Sequence, residues 1–370
     1  MMANHTASGS VLADMDNTPA HEPAADARAT GGDWPAVSVV MPVRNEERHL
    51  GSAVRGVLAQ DYPGEMELIL AIGPSHDRTA EIAAELAVAD RRIRVIENPA
   101  GKTPAGLNAG LAAARHGIIV RVDGHGILSD GYIRTAVTVL EETSAANVGG
   151  IMHAEGTTDF ERAVASTYGS KLGLGGSRFH IGGDAGPADT VYLGVFRRDV
   201  LERLGGFDEH FARAQDWELN YRIRAAGERV WFTPDLVVTY RPRPDITALA
   251  RQFFRTGQWR REVVRKYPDT ASARYLAAPG VVTAVGVGAV AGVAAALGAP
   301  AWLSLGWLAP LGYMAGVGAA SVVVGRGLPA RARLWLPAVL ATVHLSWGVG
   351  FLLGARVPAG TTATAPSATR

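Results

Sequence analysis

From Tyr275 to Gly325, 51 consecutive residues carry no charged side chain, although Asp, Glu, Lys and Arg are spread through the chain before them. Roughly 20 apolar residues cross a bilayer, so a run of that length has room for two spans. We place them near Ala277–Leu297 and Ala301–Val324, separated by Gly298-Ala-Pro300, and a third from about Leu334 to Gly354, where His344 is the one ionisable group. Trp302, Trp307, Trp335 and Trp347 suit interfacial or packing positions. The segment Arg241–Arg274 carries nine Lys or Arg against three acids, with Phe253, Phe254 and Trp259 interleaved. That pattern predicts an amphipathic helix on an anionic membrane surface; the apolar segments that follow make nucleic acid the poorer reading of the same basic patch.

The positive-inside rule places this segment, and Arg326, Arg331 and Arg333, on the cytoplasmic side. An odd number of crossings follows, with the chain beyond the third span outside. The alternative for the first two spans is a shallow hairpin that does not cross. The expected location is the plasma membrane, multi-pass, with the domain before the spans cytoplasmic.

Residues 1–34 are poor in large apolar groups and read as a disordered leader, as does a tail over 357–370. The leader lacks a basic start followed by an apolar run, so it is not a secretory signal. With no cysteine, a disulfide framework, a thiolate metal site and a cysteine nucleophile are all excluded.

Between these ends, residues 35–240 alternate strand and helix signals. Val37–Val43 is a β-branched run broken by Pro42, which suits a strand ending at a functional edge. A polar turn with Asn45 and Glu46 and a helix with Leu50, Val54, Val57 and Leu58 on one face follow. Residues 67–72, 92–96 and 117–122 read as further strands. Helices over 80–88 and 105–114 separate them, which argues for a doubly wound parallel α/β sheet. No G-x-G-x-x-G follows the first strand and no P-loop motif occurs, so any nucleotide is held in another way. The fourth strand ends in Asp123-Gly-His125 at the sheet rim, where open α/β folds bind ligands. A carboxylate and an imidazole there have the chemistry of a divalent-metal and phosphate site; Asp-Gly is equally a turn signal. Asn45, Glu46, Ser75 and Asp77 have helix-capping readings beside ligand readings, and Lys102 suits a point cation for phosphate or a solvated loop lysine.

Several motifs in series carry a resemblance. They are Val37-Ser-Val-Val-Met-Pro-Val-Arg-Asn-Glu46, the Ser75–Thr79 turn, Lys102 to Asn108, Asp123-Gly-His125, Asp189-Thr-Val-Tyr-Leu-Gly-Val-Phe-Arg-Arg198, Gly205-Gly-Phe-Asp-Glu209 and Gln215-Asp-Trp-Glu-Leu-Asn-Tyr-Arg222. Together they resemble the family-2 inverting glycosyltransferases of the GT-A fold, within them the succinoglycan-type exopolysaccharide enzymes.

The resemblance implies a Rossmann-like, mostly parallel sheet with helices on both faces, followed by a helical transmembrane region over 275–356. It implies a nucleotide-sugar donor and a lipid-linked saccharide acceptor, with Asp216 as general base. Asp123 would hold Mn²⁺ or Mg²⁺ against the donor pyrophosphate. His125 stands where the family's last Asp stands, and an imidazole tilts the metal toward Mn²⁺. Gln215 replaces a Glu beside the base, which should lower the pKa of Asp216 relative to a Glu neighbour. Ile72-Gly73 occupies the positions of a base-reading Asp, leaving Asn45, Glu46 and Asp77 for base and ribose. Pro42, Lys102, Asn108, Asp189 and Arg255 complete the implied substrate contacts, Arg255 through a partial Q-x-x-R-W match in which Thr256 replaces the Trp. The expected activity is hexosyl transfer in cell-surface polysaccharide synthesis. A polyprenyl-phosphate sugar synthase and a non-catalytic membrane scaffold are the competitors. Residues 159–172 read as a helix, and 173–186 as a mobile glycine-rich loop over the acceptor.

Overall fold

A computed structural model describes residues 33–355; the expected tail and all but the last two residues of the expected leader lie outside the described residues. Strand β1 (Val37–Val43) is buried along its length and pairs in parallel with β2 (Met66–Ile72) and β4 (Ile118–Arg121). Pro42 faces the β4 side, beyond the last register pair, Val40 with Arg121. Its missing N–H therefore leaves no ladder bond unmade. Helices α1 (Leu50–Leu58), α2 (Thr79–Ala89) and α3 (Thr103–Ala113) join β1, β2, β3 (Ile93–Glu97) and β4. This half matches the doubly wound expectation.

The second half departs from a purely parallel sheet. It adds β5 (Ile127–Leu128), α4 (Tyr132–Thr143), β6 (Asn147–Ala154), α5 (Asp159–Tyr168), α6 (Lys171–Leu174), α7 (Arg178–Ile181), β7 (Gly186–Pro187), β8 (Tyr192–Arg197), α8 (Arg198–Arg203), α9 (Gln215–Ala225) and β9 (Val230–Tyr240). The sheet order is β3-β2-β1-β4-β8-β6-β9-β5, with β7 beside β9. Strand β8 lies antiparallel between β4 and β6, so the sheet is mixed. Its register with β6 shifts where Leu193 is left-handed and the glycine at 194 has φ 119°. The segment expected as a loop over 173–186 is partly regular, since Ser170 caps α6 and a second short turn, α7, buries Phe179. The helix expected over 159–172 stops at Tyr168.

Asp245 then caps α10 (Ile246–Lys266), whose buried face carries Leu249, Phe253, Gly257 and Val263. Three apolar helices follow, α11 (Ala273–Ala296), α12 (Leu308–Val324) and α13 (Ala330–Leu353), with a 3₁₀ turn over Ala301–Trp307 leading into α12. Each apolar segment has 24 residues, counting the 3₁₀ turn with α12, and each is long and apolar enough to cross a membrane. The first and third begin four residues before their expected starts. Val339 and Val343 of α13 join Phe160, Val164, Tyr168 and Phe253 in one buried cluster, so this helix packs on the sheet domain itself.

Candidate active site

The carboxyl ends of β1 and β4 and the first turn of α9 open into one cavity of about 480 Å³. Arg121, the last residue of β4, is its foundation. The strand is otherwise apolar and the arginine is 3% exposed. A buried guanidinium requires anionic partners, and it has two. One nitrogen lies 3.2 Å from Asp123 Oδ1 and another donates to Asp216. Both carboxylates keep 23% of their side chains exposed and line the cavity. The two groups 93 positions apart in sequence thus share one space, bridged by a residue that the sequence reading passed over. An arginine inside an apolar strand was the available signal.

Ala214, in left-handed conformation at φ 64°, turns the chain into α9, and Asp216 sits in that helix's first turn. The helix N-terminus favours the anion. Burial nevertheless pushes the Asp216 carboxyl up to about 6, with Arg121 pulling it down and Asp123 adding to the rise. The same carboxylates hold Arg121 above its ordinary value in spite of burial. The helix is locked from behind by Glu218, which is fully buried and meets Arg222 at 2.7 Å, the Tyr267 hydroxyl at 2.8 Å and Lys266 Nζ at 3.1 Å. Those contacts tie the helix that carries Asp216 to the end of α10.

On the opposite wall, His125 Nδ1 lies 2.9 Å from Glu46 Oε1, and this bond raises the imidazole above its usual range. Pro42, Glu46, Lys102, Asp123, His125 and Asp216 all line the cavity. The other expected residues stand elsewhere. Asn45, at φ 55°, accepts from His76 N at 2.9 Å, while its own N–H reaches Ser75 Oγ at 3.1 Å. Asp77 accepts from Thr79 N at 3.1 Å and Glu47 N at 3.3 Å. These two therefore stitch the β1 and β2 loops together. Asn108 ties α3 to the Gly205–Glu209 turn through Phe207 O at 2.8 Å and Glu209 Oε1 at 3.0 Å. Asp189 is exposed on a second, smaller cavity, 3.9 Å from Arg224. Arg255 is exposed on α10, close enough to Arg213 to repel it.

Gly73, in place of a base-reading Asp, has a packing reason: a Cβ there would lie 3.1 Å from the Gly101 Cα. The β2 loop and the loop leading to Lys102 cross at that point. On the far wall, Arg213 and Arg243 line the cavity, and both were absent from the sequence reading. Among the described residues, Arg213 has no hydrogen bond or ion pair, and burial beside Arg255 and Arg243 lowers its pKa. Arg243 donates only to Gln252 Oε1, at 2.9 Å.

Among the described residues, no three His, Cys, Asp or Glu side chains form a ready-made cage. Asp123 and His125 nonetheless fit an ion that shares its sphere with phosphate oxygens and water, as hard dications do. The Glu46 carboxylate on Nδ1 leaves Nε2 of His125 available, which is the usual orientation of a metal-binding histidine.

Comparison with known proteins follows the same lines. The succinoglycan biosynthesis protein ExoA of Rhizobium meliloti (strain 1021) is 32% identical over 224 residues, 60% of this chain and 68% of that protein. A protein of Methanococcus voltae, named as a dolichyl N-acetyl-α-D-glucosaminyl phosphate 3-β-D-2,3-diacetamido-2,3-dideoxy-β-D-glucuronosyltransferase, is 23% identical over 62% of this chain and 74% of its own length. The mannosyltransferase PcManGT from Pyrobaculum calidifontis, solved with GDP-Man and Mn²⁺, shares the fold at a TM-score of 0.54 and 20% identity, over 86% of this chain and 87% of that one. Its likeness makes the sheet domain a GT-A fold. Residues 35–258, from the start of β1 to the middle of α10, match the family described as "Glycosyltransferase like family 2". That match spans more than half of the chain and takes in Asp123 and Asp216, which share one cavity, and the chain belongs to glycosyltransferase family 2.

Proposed function

We propose that the chain is a membrane-bound, metal-assisted inverting hexosyltransferase that moves a sugar from a nucleotide donor to a hydroxyl of a lipid-linked saccharide. The observation that carries this reading is the shared cavity of Asp123 and Asp216, whose size suits a hexose and part of its diphosphate. Among the described residues its lining holds three carboxylates: Glu46 and Asp123 on the rim, and Asp216 on α9, joined to Asp123 through Arg121. With Asp123 given to the cation, Asp216 is left as the one base, which favours direct displacement at C1, so an α-linked donor yields a β-glycoside.

Asp123 and His125 would hold a divalent cation together with the donor's pyrophosphate, and the cation would supply charge neutralisation for the leaving diphosphate. Lys102 faces the same charge from the rim. Arg121 keeps Asp216 ionised and aimed, and Asp216 takes the acceptor hydroxyl's proton. Arg213 and Arg243 offer unpaired positive charge to phosphate on the far side. A hydroxyl acceptor is favoured over a lipid phosphate because the site maintains a base, which an already ionised phosphate does not need. The relative whose name includes a dolichyl sugar phosphate agrees with a lipid-linked acceptor. The cytoplasmic placement of the domain follows from the basic charge of residues 241–274.

The test is mass spectrometry and anomeric NMR of lipid-linked products after incubation with UDP, GDP and ADP sugars, with Mn²⁺ or with chelator. A β-linked product that disappears with chelator is expected. Binding of no nucleotide sugar in calorimetry would instead leave a scaffold, and product formation on bare polyprenyl phosphate would assign the synthase.

A further inference from the structure

We infer that α13, although long and apolar enough to span, does not cross the membrane: it lies along the catalytic domain with both ends on that domain's side. The contacts run nearly from end to end. Near its start, Trp335 meets Phe160 of α5 edge to face at 5.4 Å. Midway, His344 Nε2 lies 2.9 Å from the carbonyl of Leu172 in α6. Towards its end, Gly350 packs on the Phe254 backbone of α10, and Gly257 of α10 packs on the Trp347 carbonyl, contacts that leave no room for a Cβ at either glycine. At its last turn Arg261 donates to the Phe351 and Leu352 carbonyls and Gln258 to the Gly354 carbonyl at 2.8 Å.

From Trp335 to Gly354 is about 28 Å of helix at 1.5 Å per residue, close to the full hydrocarbon thickness. If α13 crossed, α5, α6 and α10 would have to cross beside it. Those elements carry the exposed charges of Lys171, Arg251, Arg255 and Arg265, and charged side chains do not face lipid tails. The helix is instead built for an interface. Ala332, Leu336, Val339, Leu340 and Val343 are buried on one face, while Leu334 is 81% and Leu353 68% exposed.

The pair α11 and α12 obeys the same constraint. Its start is fixed by Tyr275, whose ring stacks under Arg260 at 3.6 Å, and its end by the Val324 carbonyl, which accepts from Ser166 of α5 at 2.7 Å. Both ends therefore belong to the domain's side, and the apolar exterior between them is what enters lipid: Val287, Val290, Leu297, Trp302 and Leu305 are each at least 64% exposed. The number of crossings is even, in place of the odd number expected from the positions of the basic residues alone. Those basic residues keep their sidedness in either case, which is why charge counting did not separate the two topologies.

The absence of native cysteine makes the test direct. Single cysteines are introduced in the full chain at exposed Arg91 as a domain reference, at Arg331 where α13 begins, and at Ala355 just beyond its end. Each is treated with a membrane-impermeant maleimide in intact cells, in inverted vesicles and after detergent solubilisation. All three are expected to react in inverted vesicles and to be spared in intact cells. Labelling of A355C in intact cells that spare R91C overturns the inference. So does an A355C that reacts only after solubilisation. The result depends on sidedness and not on turnover, so it stands apart from the transferase reading. Release of the chain from membranes by alkaline carbonate would remove the lipid-inserted hairpin, and the inference with it.

Discussion

The two walls of the cavity are built on opposite principles. On the β1–β3 side, polar side chains are consumed by one another: Glu46 with His125 on the wall itself, and Asn45 with His76 and Asp77 with Thr79 and Glu47 in the loops behind it. On the α9–α10 wall, Arg213 has no hydrogen-bonding or ion-pairing partner among the described residues, and Arg243 has only a neutral one. A satisfied wall is rigid before anything binds, whereas an uncompensated one gains most when an anion arrives. Arg121 joins the two walls by holding a carboxylate of each.

The comparison can be broken most forcefully at the base. Asp216→Asn should lower kcat/KM by about 10³-fold with KM little changed. The wild-type profile should carry an acid limb near pH 6, because burial raises this carboxyl to about 6 and the base works only when deprotonated. Activity then falls about tenfold per pH unit below that point. Rates measured across pH 4.5–8 would check this; a variant that keeps most of its rate would show that no hydroxyl is deprotonated. Arg121→Lys keeps the charge and loses the fork that serves both carboxylates. We expect about a 10²-fold loss in kcat, the scale on which misplaced catalytic groups are penalised, and a shifted acid limb that a purely structural defect would not produce.

Arg213→Ala and Arg243→Ala sharpen the contrast between walls. Each should raise KM for a phosphate-bearing substrate by about tenfold, the scale of a lost charged hydrogen bond. The melting temperature should hold or rise, since each change removes a repelled charge. Asp77→Ala should do the reverse and least, with a slightly lower midpoint in denaturant titration and a nearly constant KM. A raised KM at unchanged stability would place Asp77 against a ligand instead.

Much of the fold was legible because the signals were local. The β-branched run at Val37–Val43, the turn residues after each strand and the uncharged stretch from Tyr275 report on their own neighbourhoods. Asp123, His125, Glu46 and Asp216 were legible as chemistry, and the shared cavity brings them together. Contacts made across the sequence were not legible. The antiparallel pairing of β8 between β4 and β6, and the register shift opposite its positive-φ residues 193 and 194, are not encoded in a hydrophobic pattern. The unpaired state of Arg213 depends on which side chains fail to reach it. For α13, length and apolarity were correctly read, but the surface that it lies on is assembled from α5, α6 and α10, elements 80 to 180 residues away in sequence.

The crossing of Gly73 and Gly101 limits how this part of the chain can be altered. At Gly73 even a methyl group would press on the segment that presents Lys102. The two loops are mechanically geared here, so enlarging the side chain at position 73 takes a coordinated change in the loop that carries Lys102.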